Sequence, residues 1–328
     1  MIAIPSFFRE VSVRIRPIAA LSAVAVAAFL LAGCSSSPST PVASPSASAA
    51  DLCAAAASGG AAVKAVKVTG DVGSEASATF DKPLSVTKIQ REVVKEGTGQ
   101  KVKAGDLVEY ALTAYNIETG AKLGAVGYGK GEVLPSQISA DSPLGQVFGC
   151  APVGTRVVAA FPGSETAPGE VYVLDLLRVV PAKAWGTDQS STVTGMPDVK
   201  LAKNGEPSIS IPKGATVPTE TKIVVLKKGD GETVASGDQV LVQYKGVLWN
   251  NAKEFDSSWQ RGTPASFQTT GVVKGFQKAL EGQTVGSQVL VVIPPADGYG
   301  NTAQGQIPAN STLVFVVDIL GTQHQTAQ

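Results

Sequence analysis

The sequence predicts an α+β fold, two small antiparallel β-sheets in tandem, each wrapped on one short helix. Three observations point there. The 328 residues include 35 Gly and 20 Pro but only 6% aromatic side chains, a composition of short strands and many turns. Apolar runs alternate with polar residues at the period of a strand, as at Val240, Val242, Tyr244 and Gly246. Most of the chain also matches itself at an offset of 132 residues.

The first segment carries Arg9, Arg14 and Arg16, then an apolar run from Ile18 to Ala32, then Leu31-Ala32-Gly33-Cys34. That run is shorter than the ~20 residues a helix needs to cross a bilayer, so residues 1–33 read as a signal peptide. Its end resembles the lipobox of bacterial lipoproteins. The resemblance implies cleavage before Cys34, lipidation of that cysteine and an extracytoplasmic protein anchored to the cell membrane. Two or more acyl chains, at ~0.8 kcal/mol per buried methylene, would hold it there. A plain secretory signal with an incidental cysteine is the alternative. Residues 34–50, rich in Ser, Pro and Ala, cannot build a core and read as a tether.

An exported chain sits where disulfides persist, so the two remaining cysteines, Cys53 and Cys150, are expected to pair, against the alternative of two free thiols. The whole chain has 27 basic and 27 acidic residues. Loss of Arg9, Arg14, Arg16 and Glu10 with the leader leaves a net charge of −2, which argues against nucleic acid as a partner.

The repeat sets the organisation. VVKEGTGQKVKAGDLVEYALTAYNIETGAKLGA (93–125) falls on VLKKGDGETVASGDQVLVQYKGVLWNNAKEFDS (225–257), and VGTRVVAAFP (153–162) falls on VGSQVLVVIP (285–294). VYVLDLL (171–177) meets VFVVDIL (314–320) at an offset of 143, so the second copy inserts eleven residues after Pro294. The repeated units run from about Val66 to Val180 and from about Val199 to Thr322, within a first domain at 51–181 and a second at 198–328. Between them, residues 182–197 have turn composition, which predicts relative motion or docking through Trp185. Asn250-Asn251 suits a tight hairpin turn. Val289–Ile293 and Leu313–Leu320 are apolar apart from Asp318 and read as central strands, and only Val273–Glu281 reads as a helix.

The chemistry is defined first by what is missing. The single His324 lies in a polar tail and reads as solvated, which removes metal clusters and Ser-His-Asp triads; no cofactor is expected. Gly229-Asp230-Gly231 and Gly97-Thr98-Gly99 are turn signals without the strand and helix context of a phosphate loop.

What remains is an apolar site with few polar groups. VQYKGVLWNNAKEFDSS, GFQKALEGQTVGS, PPADGYG and IPANSTLVFVVDIL resemble the FKBP-type peptidyl-prolyl cis-trans isomerases in motif and order, over about Thr219 to Thr322. The resemblance implies a five-stranded antiparallel sheet around a short helix, with a proline pocket between them. Carried onto this chain, the pocket holds Phe255, Val272, Val273, Phe276, Ile307 and Phe315, with Tyr244, Asp256 and Tyr299 as its catalytic groups. It further implies that the Tyr299 hydroxyl donates to the substrate carbonyl while Asp256 orients Tyr244. Arg261 matches a basic residue that pairs with the pocket acid in some relatives.

This chain departs from many relatives at Phe276, where they have Trp, and at Ala265, where they have an aromatic wall; both changes predict a wider pocket. The polar loop NTAQGQ (301–306) weighs against the macrolide ligands that the family resemblance otherwise implies. At the repeat offset, Tyr244, Phe255 and Asp256 become Leu112, Leu123 and Gly124, and the missing eleven residues remove the equivalents of Tyr299 and Ile307. The first unit is therefore expected to be an FKBP-like domain without isomerase activity that binds chains, docks on a partner or acts as a spacer. The implied function is a membrane-anchored catalyst of prolyl isomerisation in exported polypeptides. Its rivals are a non-catalytic binding module and a structural surface protein with an inert pocket.

Overall fold

The computed structural model describes residues 51–189 and 193–325; the expected signal peptide and tether, with Cys34, lie outside the described residues. The first body opens with α1 (Leu52–Ala55), α2 (Ala61–Lys64) and a ribbon of β1 (Lys67–Thr69) and β2 (Ser77–Thr79). Its sheet is built from β3 (Gln90–Lys95), β4 (Leu107–Asn116), β5 (Lys122–Val126), β6 (Ser136–Gln137), β7 (Arg156–Phe161) and β8 (Glu170–Val180), with α3 (Pro143–Phe148) between β6 and β7. The strand order is β3-β7-β8-β4-β5, with β6 also on β4, antiparallel throughout.

The second body repeats this plan. After β9 (Thr187–Asp188) come the ribbon β10 (Asp198–Leu201) and β11 (Pro207–Ser210), then β12 (Lys222–Lys228), β13 (Gln239–Leu248), β14 (Glu254–Ser257), α4 (Ser258–Arg261), β15 (Ala265–Gln268), α5 (Lys274–Leu280), β16 (Gln288–Ile293) and β17 (Leu313–Gln323). The order is β14-β13-β17-β16-β12-β9, with β15 on β13.

The repeat holds residue by residue in the hydrogen-bond register. Leu107 faces Val180 and Gln239 faces Gln323, the same pair at offsets of 132 and 143. The bulges coincide as well: Glu109/Tyr110 with Leu241/Val242, Val93/Lys95 with Val225/Lys227, and Ala114/Tyr115 with Gly246/Val247. A bulge adds one residue to one strand and changes which side chains face the core, so matching bulges keep matching faces.

Both sheets are covered on both sides. Val240, Val242, Tyr244, Leu313, Phe315 and Val317 face α5, while Val247, Val314 and Val316 face the ribbon β10–β11 through Met196 and Ile209. In the first body, the segment from α2 to β2 covers Val158, Ala160, Val171 and Val173 in the same way. This corrects the reading of β13 as half-buried: the ribbon closes its second face, and alternation there separates two cores instead of core from water. The continuous apolar runs of β16 and β17 are buried along their length, as central strands require.

The helix expected at 273–281 is α5. Its counterpart α3 starts at the Ser142-Pro143 pair, where the Ser142 Oγ accepts from Gly145 N at 3.0 Å and proline occupies the first turn. Among the described residues, three further single-turn α-helices and two 3₁₀ turns, at Thr269–Gly271 and Pro295–Asp297, were not anticipated. In the β13–β14 hairpin the positive φ falls on Ala252 (53°), not on an asparagine; Asn251 instead accepts from Lys253 N through its side chain at 2.9 Å. Cys53 and Cys150 are bonded, with Cα atoms 4.6 Å apart, and tie α1 to the end of α3 across 97 residues. In a chain-entropy account, closing a loop of ~100 residues restricts the unfolded state by about 4–5 kcal/mol.

At the ends of the second body one expectation is corrected and one open choice is decided. His324 is not a solvated tail residue: β17 runs on until the His324 N–H donates to Gly131 O at 2.7 Å, and its Nδ1 lies 2.9 Å from Asp238 Oδ2. Of the two alternatives left open for the segment after Pro181, its contacts match docking. Gly186 N donates to Gly286 O at 2.9 Å, β9 extends the second sheet, and Trp185 joins Leu107, Leu134, Val180, Leu241 and Leu320 in an apolar contact between the bodies.

Each last strand also buries an aspartate. In the first body Asp175 is paired with Arg156, whose Nε and Nη2 donate to its two oxygens at 2.6 and 2.7 Å. The same guanidinium donates to the carbonyls of Gly70, Asp71 and Ser74 and so holds the ribbon turn on the sheet. In the second body the equivalent positions are Asp318 and Gln288. Asp318 is 2% exposed and accepts from Gln288 Nε2 at 2.7 Å and from Ala184 N at 2.9 Å. Burial pushes its carboxyl up to about 6, against those hydrogen bonds and the charges of Lys227 and Lys183.

Because the unfolded chain keeps an aspartate near ~3.9, the folded state holds the proton more tightly, so this group costs stability above its folded pKa and nothing below the unfolded one. Stability is expected to rise by roughly 2 kcal/mol as pH falls from 7 to 4 on account of Asp318 alone. Asp318→Asn, with Gln288 turned to offer its carbonyl, should stabilise the second body at pH 7 and remove that rise. Urea unfolding of both proteins at the two pH values measures it, and parallel pH dependence would show that Asp318 is not the source.

Candidate functional site

The site forms on the α5 side of the second sheet. Tyr244 projects from β13, Phe255 and Asp256 from β14, Phe267 from β15, Phe315 from β17 and Phe276 from α5, while Val272 and Val273 lead into that helix. Tyr299 and Ile307 come from the segment 294–312 between β16 and β17. Together they line an open cavity of about 630 Å³, with Gln304, Gly305 and Gln306 at its rim. Every pocket residue expected from the sequence is among its walls.

Close backbone approach makes the ring cluster fit. Phe315 lies 5.0 Å from Phe276 and 5.4 Å from Phe255 between ring centres, edge to face in both cases. Both Phe255 and Phe315 press on Gly246, where a Cβ would come within 2.7 Å of each ring. On the helix, Gly275 lets α5 settle on Ile293, which a Cβ would meet at 2.4 Å. A pair of small residues thus sets the separation of the sheet and the helix that bound the pocket.

The polar groups form one network at the edge. The Tyr244 hydroxyl donates to Asp256 Oδ2, and the Arg261 guanidinium donates to Asp256 Oδ1 and, at 2.8 Å, to the Tyr244 oxygen. Arg261 also lies 5.4 Å from the Tyr244 ring centre, a cation–π distance. Burial, with the Asp256 hydrogen bond added and Arg261 opposing, pushes the Tyr244 hydroxyl up to about 12. Tyr244 is therefore a neutral donor throughout the neutral range. The buried Ser258 Oγ accepts from Tyr244 N at 2.7 Å and fixes the strand beneath it.

Tyr299 is the exception to this pairing. Its side chain is 37% exposed, and its hydroxyl has no partner among the described residues. Ile307, 7% exposed, turns back on Gln304 through two backbone hydrogen bonds of 2.9 Å and closes the apolar wall. An aromatic slot with the Tyr299 donor over it suits the binding of an apolar ring and an adjoining carbonyl.

Phe267 was missed. It stands 5.6 Å from Tyr244 and 6.0 Å from Phe276 and supplies the aromatic wall that the small Ala265 seemed to remove. Its spacing of two from Ala265 was the one signal in the sequence, on a strand too short for that signal to decide a face. The first body has no such site at the matching place. Leu112, Leu123 and Gly124 replace the tyrosine, phenylalanine and acid, and residues 162–169 make a short connection where the second body has its tyrosine segment. Phe161 and Tyr172 stack edge to face at 5.4 Å there, and Tyr172 donates to Glu170.

Among the described residues no helix is long and apolar enough to cross a membrane, and no three His, Cys, Asp or Glu side chains gather as a metal site would require.

Comparison with known proteins adds an independent finding. The family of FKBP-type peptidyl-prolyl cis-trans isomerases matches residues 230–320. A probable FK506-binding protein of Corynebacterium glutamicum is 35% identical over 115 residues, covering 35% of this chain and 97% of the relative. The isomerase FkpA of Escherichia coli is 44% identical over 96 residues, covering 29% of this chain and only 35% of the relative. The crystal structure of that protein aligns over 40% of this chain and 53% of its own at 35% identity, with a TM-score of 0.31.

Gly246→Ala tests the close approach. The methyl would displace Phe255 or Phe315, so a loss of about 1–3 kcal/mol in urea unfolding is expected from overpacking. Unchanged stability would show that the rings have room to give.

Proposed function

The chain belongs to the FKBP-type peptidyl-prolyl cis-trans isomerase family, and we propose that its second body catalyses rotation about X–Pro bonds in exported polypeptides. The observation that carries this reading is the Tyr299 hydroxyl, which has no partner among the described residues, over an aromatic cavity whose Tyr244 and Asp256 groups are paired with each other and with Arg261.

Amide resonance sets a barrier of roughly 18–20 kcal/mol, and twisting the bond removes that resonance without breaking a bond. No nucleophile or transferred proton is needed. The proline ring would enter among Phe255, Val273, Phe276 and Phe315. Away from water, the charge-separated planar amide is poorly stabilised, whereas a donor placed for the twisted carbonyl favours the transition state. Tyr299 supplies that donor. Asp256 serves as an acceptor that fixes Tyr244 and Arg261, and both of its oxygens are already occupied. The first body, with Leu112, Leu123 and Gly124, takes no part in the chemistry. Uncatalysed isomerisation takes tens to hundreds of seconds near room temperature, slow enough to limit folding.

The anchored location is part of the same proposal. The Cys53–Cys150 bond is consistent with an oxidising compartment, and Leu31-Ala32-Gly33-Cys34 follows a basic and an apolar segment. Cys34→Ala in the full precursor should move the protein from the membrane fraction to the soluble one. Retention on the membrane would exclude lipidation at that residue as the anchor.

Activity is tested with the full chain on a proline-containing peptide. Tyr299→Phe should lower kcat/KM about five- to tenfold, the worth of one hydrogen bond in the transition state. Asp256→Ala should lower it at least as far, and Leu123→Ser in the first body should leave it unchanged. Absence of any acceleration by the unaltered chain would remove the isomerase reading in favour of a binding module.

A further inference from the structure

The segment 294–312 brings Tyr299 and Ile307 to the pocket, yet residues 301–306 and 308–310 are exposed, and β16 and β17 hold only its ends. One side chain at its root is tied differently. Asp297, two residues before Tyr299, accepts from Thr221 Oγ1 at 2.6 Å and from Lys278 Nζ at 2.6 Å, and Lys274 Nζ stands 3.7 Å from its other oxygen. Lys274 and Lys278 are one turn apart on α5, the helix whose Phe276 forms the opposite wall of the cavity. Just beyond Asp297, Gly298 and Gly300 both donate to Pro295 O, and Asn310 donates to Gly300 O, so the backbone on either side of Tyr299 is held from this root.

The first body provides an internal comparison. At the repeat offset Lys274, Lys278 and Thr221 become Ser142, Gln146 and Ile89, while the stretch that includes Asp297 is absent. All parts of the clamp occur in the body with the Tyr299 segment, and none in the body without it. Stability does not explain the arrangement well. The two lysine side chains are 69% and 45% exposed, and ion pairs of that exposure contribute about 0–1 kcal/mol. Lys278, then Thr221, hold the Asp297 carboxyl below its ordinary range, so the clamp is charged at neutral pH.

We propose that Asp297, clamped by Lys278, Lys274 and Thr221, is a positioning residue that holds the Tyr299 hydroxyl at a fixed distance from the α5 wall of the pocket. The inference rests on the isomerase reading for its catalytic consequence, and on geometry alone for its structural one. A donor that wanders by an ångström loses much of its advantage in the transition state, while the apolar walls still bind the proline ring.

The test uses the full chain with Asp297→Ala, and Lys278→Met as a second variant that breaks the clamp from the helix side. Amide hydrogen exchange at Gly298, Gly300 and Asn310 should speed up about tenfold or more in both, with β16 and β17 unchanged. In the isomerase assay kcat should fall about fivefold with KM within about twofold, and in a Tyr299→Phe background the same changes should have almost no further effect. Unchanged exchange in both variants overturns the proposal. So does a loss of kcat that is equally large with Phe at 299, because the clamp would then act on something other than that hydroxyl. If the unaltered chain shows no isomerase activity, the functional reading fails by itself, and the exchange result alone upholds or refutes the clamp.

Discussion

The pairing of β13 with β17 is the constraint on which the rest depends. It spans the second sheet from Gln239–Gln323 to Leu248–Leu313 and brings Tyr244 and Phe315 to the same face of the sheet. Side chains alternate faces at every residue, so a slip of one position in either strand would send its pocket ring toward the ribbon β10–β11. Two features resist such a slip. The bulge at Leu241/Val242 adds a residue at a fixed place, and both faces are already filled, so no shifted register leaves an apolar side chain a vacant position.

The same ladder in the first body separates what the sheet needs from what the site needs. β4 and β8 pair in the matching register with the matching bulge, and a core of Val108, Phe148, Val157, Leu174 and Leu176 fills the helix side. A fold can thus persist while Leu112, Leu123 and Gly124 stand at the pocket positions: Leu112 packs against this core, and Leu123 and Gly124 lie exposed on β5, outside it. The acid is the telling loss. Asp256 has its charge matched by Arg261 and its second oxygen filled by the Tyr244 hydroxyl, so neither the tyrosine nor the acid would be well placed without the other.

The repeat made the architecture readable, since a gap of eleven residues and an offset of 132 assign each strand of one body to a partner in the other. Pocket residues were readable through the family resemblance alone: Tyr244, Phe255, Asp256, Phe276, Tyr299, Ile307 and Phe315 lie in or beside the short motifs that carry it. What escaped depends on contacts distant in sequence. The second buried face of β13 is made by Ile209, the place of His324 by Gly131, and the contacts that decide for a docked linker by Asp318 and Gly286. Phe267 is the intermediate case. Its strand is only four residues long and follows a turn of helix, too little alternation to show which face it would present.

The two buried aspartates show how one position in a duplicated sheet was resolved in two ways. Beside Asp175, Arg156 matches the charge and spends its remaining donors on the turn of the β1–β2 ribbon, so the back cover of the first sheet is locked by a saturated ion pair. Beside Asp318, Gln288 matches the hydrogen bond but not the charge, and the second oxygen accepts from Ala184 at the junction of the bodies. The lysines that face it, Lys183 and Lys227, only partly offset the cost of burial. An uncompensated buried charge is among the more expensive features a core can hold, whereas a matched one mainly enforces geometry. The first body therefore uses its aspartate to fix its own ribbon. The second uses the equivalent side chain to hold the segment that connects it to the first, at the expense of stability above the pH where that carboxyl ionises.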